Sequence, residues 1–217
     1  MPKTYRGPAR LAVLVGDNMY VAAVVLAAGK SERMGQNKLL LRLNDHTLVE
    51  SVLDAAAVAG VHTTVVVLGH AAQELIGVLA TRREVQIVIN PEYWRGMVSS
   101  FQQGLRRARD ADAAFLMLGD QPILDKNLSS AMIDELADNP ETLIVSPSYA
   151  GKKGHPVLFR AELFTEIFAL DAPDTIREIV HRHKDRLLTI DAPEWTVMDV
   201  DTPDDYARIL ALVRKDL

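Results

Sequence analysis

The stretch "VVLAAGKSERMGQNK", Val24 to Lys38, carries an apolar, β-branched run into Ala27-Ala28-Gly29 and then sets Lys30, Arg33 and Lys38 around a second glycine, Gly35. A strand that breaks into such small residues lets a ligand touch the backbone, and turning amides form a cradle for anions. Arg33 can grip two phosphate oxygens in parallel, and Lys38 acts as a mobile point charge, so the loop reads as a triphosphate site. The bland alternative is a glycine turn with solvated cations, which many α/β proteins contain. Two phosphate-loop templates do not fit. A dinucleotide loop wants G-x-G-x-x-G, whereas Gly29 and Gly35 are the only glycines of this stretch; a Walker loop wants G-K-[ST], whereas Gln36 and Asn37 follow Gly35.

Outward from this loop, short apolar runs alternate with helix-period stretches from Tyr20 onward, the pattern of a mostly parallel sheet covered on both faces. Strands are expected at 21–26, 62–68, 85–89, 113–118, 142–146, 156–159, 187–190 and 196–200. Helices are expected at 47–58, 71–81, 98–109, 126–138, 161–169, 174–184 and 203–214. Thr47 and Glu50 form a capping box, Gly60 stops that helix, and Pro203 opens the last one. "VAAVVL", "TTVVVL" and "AAFLML" are apolar on both faces, as central parallel strands are. The fold class is therefore a three-layer αβα sandwich with a doubly wound, Rossmann-like sheet. Ligands in such sheets bind beyond the carboxyl ends of the strands, so the loops after Leu26, Leu68 and Leu118 should share one crevice.

The chain has 217 residues, 48% of them hydrophobic and 24% charged, which suits one domain over residues 19–217. Residues 1–18, with two prolines and scattered charge, read as an N-terminal extension, a tag or an over-long start. The net charge of −5 lacks the basic excess that draws a protein to nucleic acid. The absence of cysteine removes disulfides, thiolate metal sites and a cysteine nucleophile. No apolar run is long enough for a membrane span and no leader is visible, so the expected location is cytoplasmic.

"LMLGDQP" places Asp120 at the end of a central strand, and "VMDVDTPDD" places Asp199 and Asp201 at the end of a late one. Carboxylates on strand ends facing a triphosphate suit Mg²⁺, which keeps waters and bridges phosphate oxygens. Each could instead cap the turn or helix behind it, and for Asp201, followed by Thr202-Pro203, capping competes directly. In a strand Asp199 and Asp201 point to the same side, which leaves the choice between them open.

The loop resembles the L-A-A-G-x-S-x-R-M-G-x-x-K signature of nucleotidyltransferases of the molybdenum cofactor cytidylyltransferase type, matching at Leu26, Ala27, Ala28, Gly29, Ser31, Arg33, Met34, Gly35 and Lys38. The resemblance continues through "NPEYWRGMVSS" (Asn90 to Ser100), "GDQP" (Gly119 to Pro122), "GHPVLF" (Gly154 to Phe159) and "DVDTPDDY" (Asp199 to Tyr206). It implies the nucleotide-diphospho-sugar transferase type of sheet and a transfer of CMP from CTP to the phosphate of a molybdopterin-like pterin. It also implies Asp120 and Asp201 as the Mg²⁺ pair, with Arg33, Lys38 and Asp120 catalytic. The nucleotide contacts would include Leu26, Ala27, Ala28, Gly29, Ser31, Gly35, Gly69, Asn90, Gly96 and Ser100. Ala27 and Ala28 would favour cytosine, since guanylyl-transferring relatives carry glycines there. Gln121, His155 and Arg177 would face the acceptor, although Thr175-Ile176 stand where a nearby glycine is expected. A molybdenum hydroxylase or its chaperone is the implied protein partner.

Lys152, Lys153 and His155 on a glycine-flanked loop suit a dianionic phosphate or a pterin edge. His181 and His183 diverge on a helix and are not expected to ligate a metal together. Trp94 and Trp195 are expected to be packing residues rather than ligand platforms. Rival readings are a relative using GTP or another nucleotide on a different phosphorylated acceptor, a non-catalytic cofactor carrier, and a dehydrogenase. Lys38, Asp120 and Asp201 together favour turnover over carriage, and the missing third glycine disfavours the dehydrogenase.

Overall fold

A computed structural model of the chain describes residues 3–4, 19–58, 60–122, 125 and 127–213. Its strands are β1 (Lys3–Thr4), β2 (Val21–Ala27), β3 (Arg42–Leu43), β4 (His46–Thr47), β5 (Val61–Leu68), β6 (Val85–Ile89), β7 (Ala113–Leu118), β8 (Ile144–Tyr149), β9 (Lys152–Lys153), β10 (Val157–Arg160) and β11 (Leu187–Asp191). The helices are α1 (Leu48–Ala56), α2 (Ala72–Leu79), α3 (Met97–Arg107), α4 (Asn127–Asp138), α5 (Phe164–Ala169), α6 (Ile176–Arg182) and α7 (Pro203–Val213).

Among the described residues the main sheet runs β1-β11-β8-β10-β7-β2-β5-β6, with β9 beside β8 and β3-β4 a separate hairpin. β7, β2, β5 and β6 are parallel neighbours. β10 runs antiparallel to both β7 and β8. Successive residues of β2 point to opposite faces, and both faces are apolar. Val21, Ala23 and Val25 pack under α1, α2 and α4. Ala22 and Val24 pack under α3, α5 and α6. This explains the unbroken apolar run and gives the three layers.

The capping box of α1 forms as expected, with Thr47 N–H donating to Glu50 Oε2 at 2.7 Å and Glu50 N–H to Thr47 Oγ1 at 3.4 Å. One expected strand does not form. Glu194–Val197 is a 3₁₀ turn, and the residues leading to Asp201 run irregularly across the strand ends. Their backbone groups are taken up by loops rather than by a neighbouring strand. The Thr196 carbonyl accepts from His155 N–H at 2.9 Å and from Gln121 Nε2 at 2.6 Å, and Val200 N–H donates to the Asp120 carbonyl at 3.0 Å. Met198 and Val200 insert into a small core with Leu43, Leu48 and Ile209, which satisfies the apolar pattern without a sheet.

Trp94 also departs from expectation. It is 67% exposed, because the turn Tyr93–Arg95 stands on the rim of the strand ends and offers its indole only the edge of Tyr93. Trp195 is buried as expected. Of the N-terminal extension, Lys3–Thr4 pairs in parallel with β11, and the rest of residues 1–18 lies outside the described residues. So does Lys126, the first residue expected in α4.

Candidate active site

The crevice forms where the register requires it. Leu26 is level with Leu118 in β7, and Ala27 with Leu68 in β5, so the loops that follow emerge side by side. Gly119 N–H donates to the Leu26 carbonyl at 2.9 Å and His70 N–H to the Ala28 carbonyl at 3.2 Å. Gly69 is glycine for steric reasons: a Cβ would lie 2.6 Å from Tyr93 Cβ and 2.8 Å from Ala28 Cβ.

The loop after β2 is built to hold Lys38 still. Ser31 and Gly35 both adopt left-handed backbone on either side of a 3₁₀ turn, Glu32–Met34. Ser31 Oγ accepts from Lys38 N–H at 3.2 Å, and Asn37 Oδ1 caps the next turn through Leu39 N–H at 3.2 Å. Leu39 enters the main core. Lys38 is thereby drawn to 8% exposure, with its ammonium directed into the crevice.

A buried ammonium needs anionic partners, and two carboxylates supply them. Lys38 Nζ lies 2.5 Å from Asp120 Oδ2 and 2.7 Å from Asp201 Oδ1. Arg33 Nη2 takes the other oxygen of Asp201 at 2.5 Å. Burial alone would lower the Lys38 pKa, but Asp120 and Asp201 outweigh it and hold it above its ordinary value. The bond from Lys38, helped by Arg33, holds the Asp201 carboxyl below the usual carboxylate range, against the opposing effect of burial.

Asp201 does not cap α7. Thr202 and Asp205 do, through Thr202 N–H to Asp205 Oδ2 at 2.9 Å and Asp205 N–H to Thr202 Oγ1 at 3.2 Å, which leaves the Asp201 side chain to the crevice. Asp199 points elsewhere, into an adjoining cavity of about 970 Å³. Desolvation there, reinforced by Asp120 and Asp201, pushes its carboxyl above the usual range even though the residue is exposed to solvent on one side.

That cavity has an apolar floor of Leu116, Leu118 and Val157 and a rim carrying Arg95, Lys152, Lys153, Arg177 and Lys184. Gln121 and His155 line it. Gln121 Oε1 and His155 Nδ1 are buried without a protein partner among the described residues. Burial pushes the His155 pKa down, and the nearby Arg177 adds to this against the Leu116 carbonyl and Asp120, so the ring is neutral near neutral pH. Arg177 sits in the first turn of α6, where Thr175 N–H donates to Glu178 Oε1 at 2.8 Å. The unexpected Thr175 is thus the cap of that helix.

The residues expected at the site therefore separate into three places. Arg33, Lys38, Asp120 and Asp201 meet directly, while Gly96, Gln121, His155 and Arg177 line the neighbouring cavity. Asn90 and Ser100 turn inward. Asn90 is 1% exposed, its Nδ2 donates to Ser99 Oγ and Ser100 Oγ at 3.0 Å, and its Oδ1 accepts from Glu92 N–H at 3.0 Å. His183 pairs with Glu166 at 2.9 Å while His181 lines the cavity, so the two do diverge. Sequence reasoning missed the ion pair of Arg95 with Asp171 at 2.5 Å, which links the loop before α3 to the loop before α6. A cation beside Gly96 was the available signal for Arg95; Asp171 offered none.

No ready-made cluster of three or more acidic or imidazole side chains suited to a metal occurs among the described residues. The donor chemistry nevertheless fits a divalent ion, because oxygens of Asp120 and Asp201 already converge on one cationic atom. Among the described residues no helix is long and apolar enough to cross a membrane.

The chain is 32% identical over 206 residues to the nicotine blue oxidoreductase of Paenarthrobacter nicotinovorans, covering 88% of this chain and 96% of the relative. It is 25% identical over 186 residues to the molybdenum cofactor cytidylyltransferase of Escherichia coli K12, covering 86% and 93%. The crystal structure of Rv0371c from Mycobacterium tuberculosis H37Rv superposes with a TM-score of 0.79 at 32% identity, over 89% of this chain and 98% of that one. A second structure of Rv0371c is a complex with manganese, with a TM-score of 0.73 at 31% identity over 88% and 98%. The family model described as the MobA-like NTP transferase domain matches residues 23–187, a span that holds Arg33, Lys38 and Asp120, and the chain is a nucleotidyltransferase of that family.

Proposed function

We propose that this protein transfers CMP from CTP to the phosphate of molybdopterin or its molybdenum form, releasing pyrophosphate, with Mg²⁺ held by Asp120 and Asp201. The observation that carries this reading is the meeting of Lys38 with Asp120 and Asp201 beside a cavity rimmed with cations and floored with apolar side chains. In the reaction, an acceptor phosphate oxygen forms a bond to the α-phosphorus of CTP as the bond from that phosphorus to the β-bridging oxygen breaks. The acceptor phosphate is ionised at neutral pH, so the protein needs no general base. Its work is to align two anions and offset the charge they bring together.

Lys38 and Arg33 supply positive charge to the triphosphate, and the small Ala27-Ala28-Gly29 backbone lets the nucleotide approach. Bound Mg²⁺ would neutralise phosphate oxygens and favour departure of pyrophosphate. Arg177, Lys152 and Lys153, which line the cavity, would bind the acceptor phosphate. Neutral His155 and Gln121 offer unpaired acceptors to the heterocycle. A molybdenum hydroxylase or its chaperone would then receive the product.

Pyrophosphate release measured with each of the four nucleotides, with and without molybdopterin or its molybdenum form, tests this directly. The largest release with CTP plus pterin is expected. Release that depends on another nucleotide or another phosphorylated acceptor would favour the related transferase reading. The name of the nicotine blue oxidoreductase relative favours one second reading, an oxidoreductase reaction. Oxidation of NADH or NADPH by the protein in the presence of nicotine blue would support it.

A further inference from the structure

The contact between Lys38 and the two carboxylates has a consequence for how a metal can enter. The ammonium lies 2.5 Å from Asp120 Oδ2 and 2.7 Å from Asp201 Oδ1, at the point where the two oxygens converge. A divalent ion bound by both carboxylates would occupy that same point. Two cations cannot share it, since unscreened repulsion at such a separation is large in a partly buried crevice. The backbone of Lys38 is pinned by Ser31 Oγ and by the burial of neighbouring Leu39, so only the side chain can move aside.

An ammonium displaced from this position loses both its partners. Its side chain is 11% exposed, and a buried charge left without an anion is costly. Arg33 already takes the second oxygen of Asp201, and Asp199 faces the large cavity. A triphosphate entering the crevice supplies the missing anion. We infer that Lys38 is a placeholder cation, which holds Asp120 and Asp201 in register in the nucleotide-free protein, excludes divalent metal from them, and yields the position when a triphosphate draws its ammonium away.

Metal and nucleotide would then bind cooperatively, each raising the affinity for the other by the same factor. This inference rests on Asp120 and Asp201 being the metal ligands, and it requires no particular acceptor or base.

The test is Mn²⁺ binding to the full-length, nucleotide-free protein, read from the electron paramagnetic resonance signal of free Mn²⁺. Lys38→Met should bind Mn²⁺ about tenfold or more tightly than the native protein, within the usual range of coupling between sites. Lys38→Gln serves the same purpose should the methionine variant fail to fold. Lys38→Arg, which keeps a cation in place, should bind as weakly as the native protein. Adding Asp120→Asn to Lys38→Met should abolish the gain, a result that simple loosening of the loop would not give. Native affinity equal to that of both uncharged variants, or an arginine variant as tight as the methionine one, overturns the placeholder role. If none of these proteins binds Mn²⁺, the assignment of the two carboxylates as metal ligands falls as well. Nucleotide-dependent pyrophosphate release by the native protein, measured separately, shows whether the transferase reading survives either outcome.

Discussion

Lys38 and Asp201 are 163 residues apart in the chain, and their side chains meet at 2.7 Å. One is fixed by the turn that ends the first long strand and the other by the segment that leads into α7. Their contact is what makes the two distant motifs one site. Because the backbone of Lys38 is pinned beside both carboxylates, its removal should be felt in the reaction more than in nucleotide binding. Lys38→Ala is expected to lower kcat on the order of 10²- to 10³-fold, the scale for loss of one preorganised charge donor. Steady-state pyrophosphate release at saturating nucleotide measures it, and an unchanged kcat removes Lys38 from the reacting centre.

The two late aspartates should respond to pH in opposite senses. Asp201 has its folded pKa lowered by Lys38 and Arg33, so it contributes stability above the ordinary carboxylate pKa, lost as pH falls through the lower folded value. Asp199 has its folded pKa raised by desolvation and by Asp120 and Asp201, so its ionised form opposes folding above that raised value. Asp201→Asn should therefore lower Tm at neutral pH. Asp199→Asn should raise it, with the gap closing as pH falls toward the ordinary carboxylate range. Thermal unfolding followed across pH checks both signs.

Arg177 tests the division of labour between the crevice and the cavity. It lines the cavity, whose lining does not include Lys38, Asp120 or Asp201. Arg177→Ala should raise the KM for the phosphorylated acceptor by roughly 10- to 100-fold, the range for loss of a charged hydrogen bond, and leave the KM for CTP within a few-fold. Equal effects on both substrates would place the acceptor phosphate elsewhere.

Asn90 is predicted to matter for folding rather than contact. Its amide joins Ser99, Ser100 and the Glu92 backbone while buried from solvent. Asn90→Ala should cost about 1 to 3 kcal/mol in denaturant unfolding, because it leaves the buried Ser100 hydroxyl without its partner. A stability loss well below that range would point instead to an exposed loop held by other contacts.

Much of the fold was legible because the central strands are apolar on both faces and the helix starts are marked, by the cap Thr47 and by Pro203 in a first turn. The stretch 196–200 was misleading: alternating apolar residues suggested a strand, yet they fill the small core around Ile209 while their backbone bonds to Gln121, His155 and Asp120. Local pattern reports burial, and burial alone does not say whether a strand lies alongside. At the site, Lys38, Asp120 and Asp201 were found from motifs. The separation of Asp199 from Asp201 was not, because it depends on Thr202 and Asp205 taking the cap and on the segment failing to be a strand. The exposure of Trp94 was missed for a similar reason, since a large aromatic in sequence carries no sign of which way a rim turn faces.

The central claim is that the cationic turn of Arg33 and Lys38 and the carboxylates of Asp120 and Asp201 form one metal-nucleotide site. Pyrophosphate release by Asp120→Ala, compared with the native protein under the same nucleotide, acceptor and Mg²⁺, tests it most directly. A fall of about 10²-fold or more in a variant that keeps the native circular dichroism spectrum is the predicted result. Release by that variant at the native rate contradicts the account.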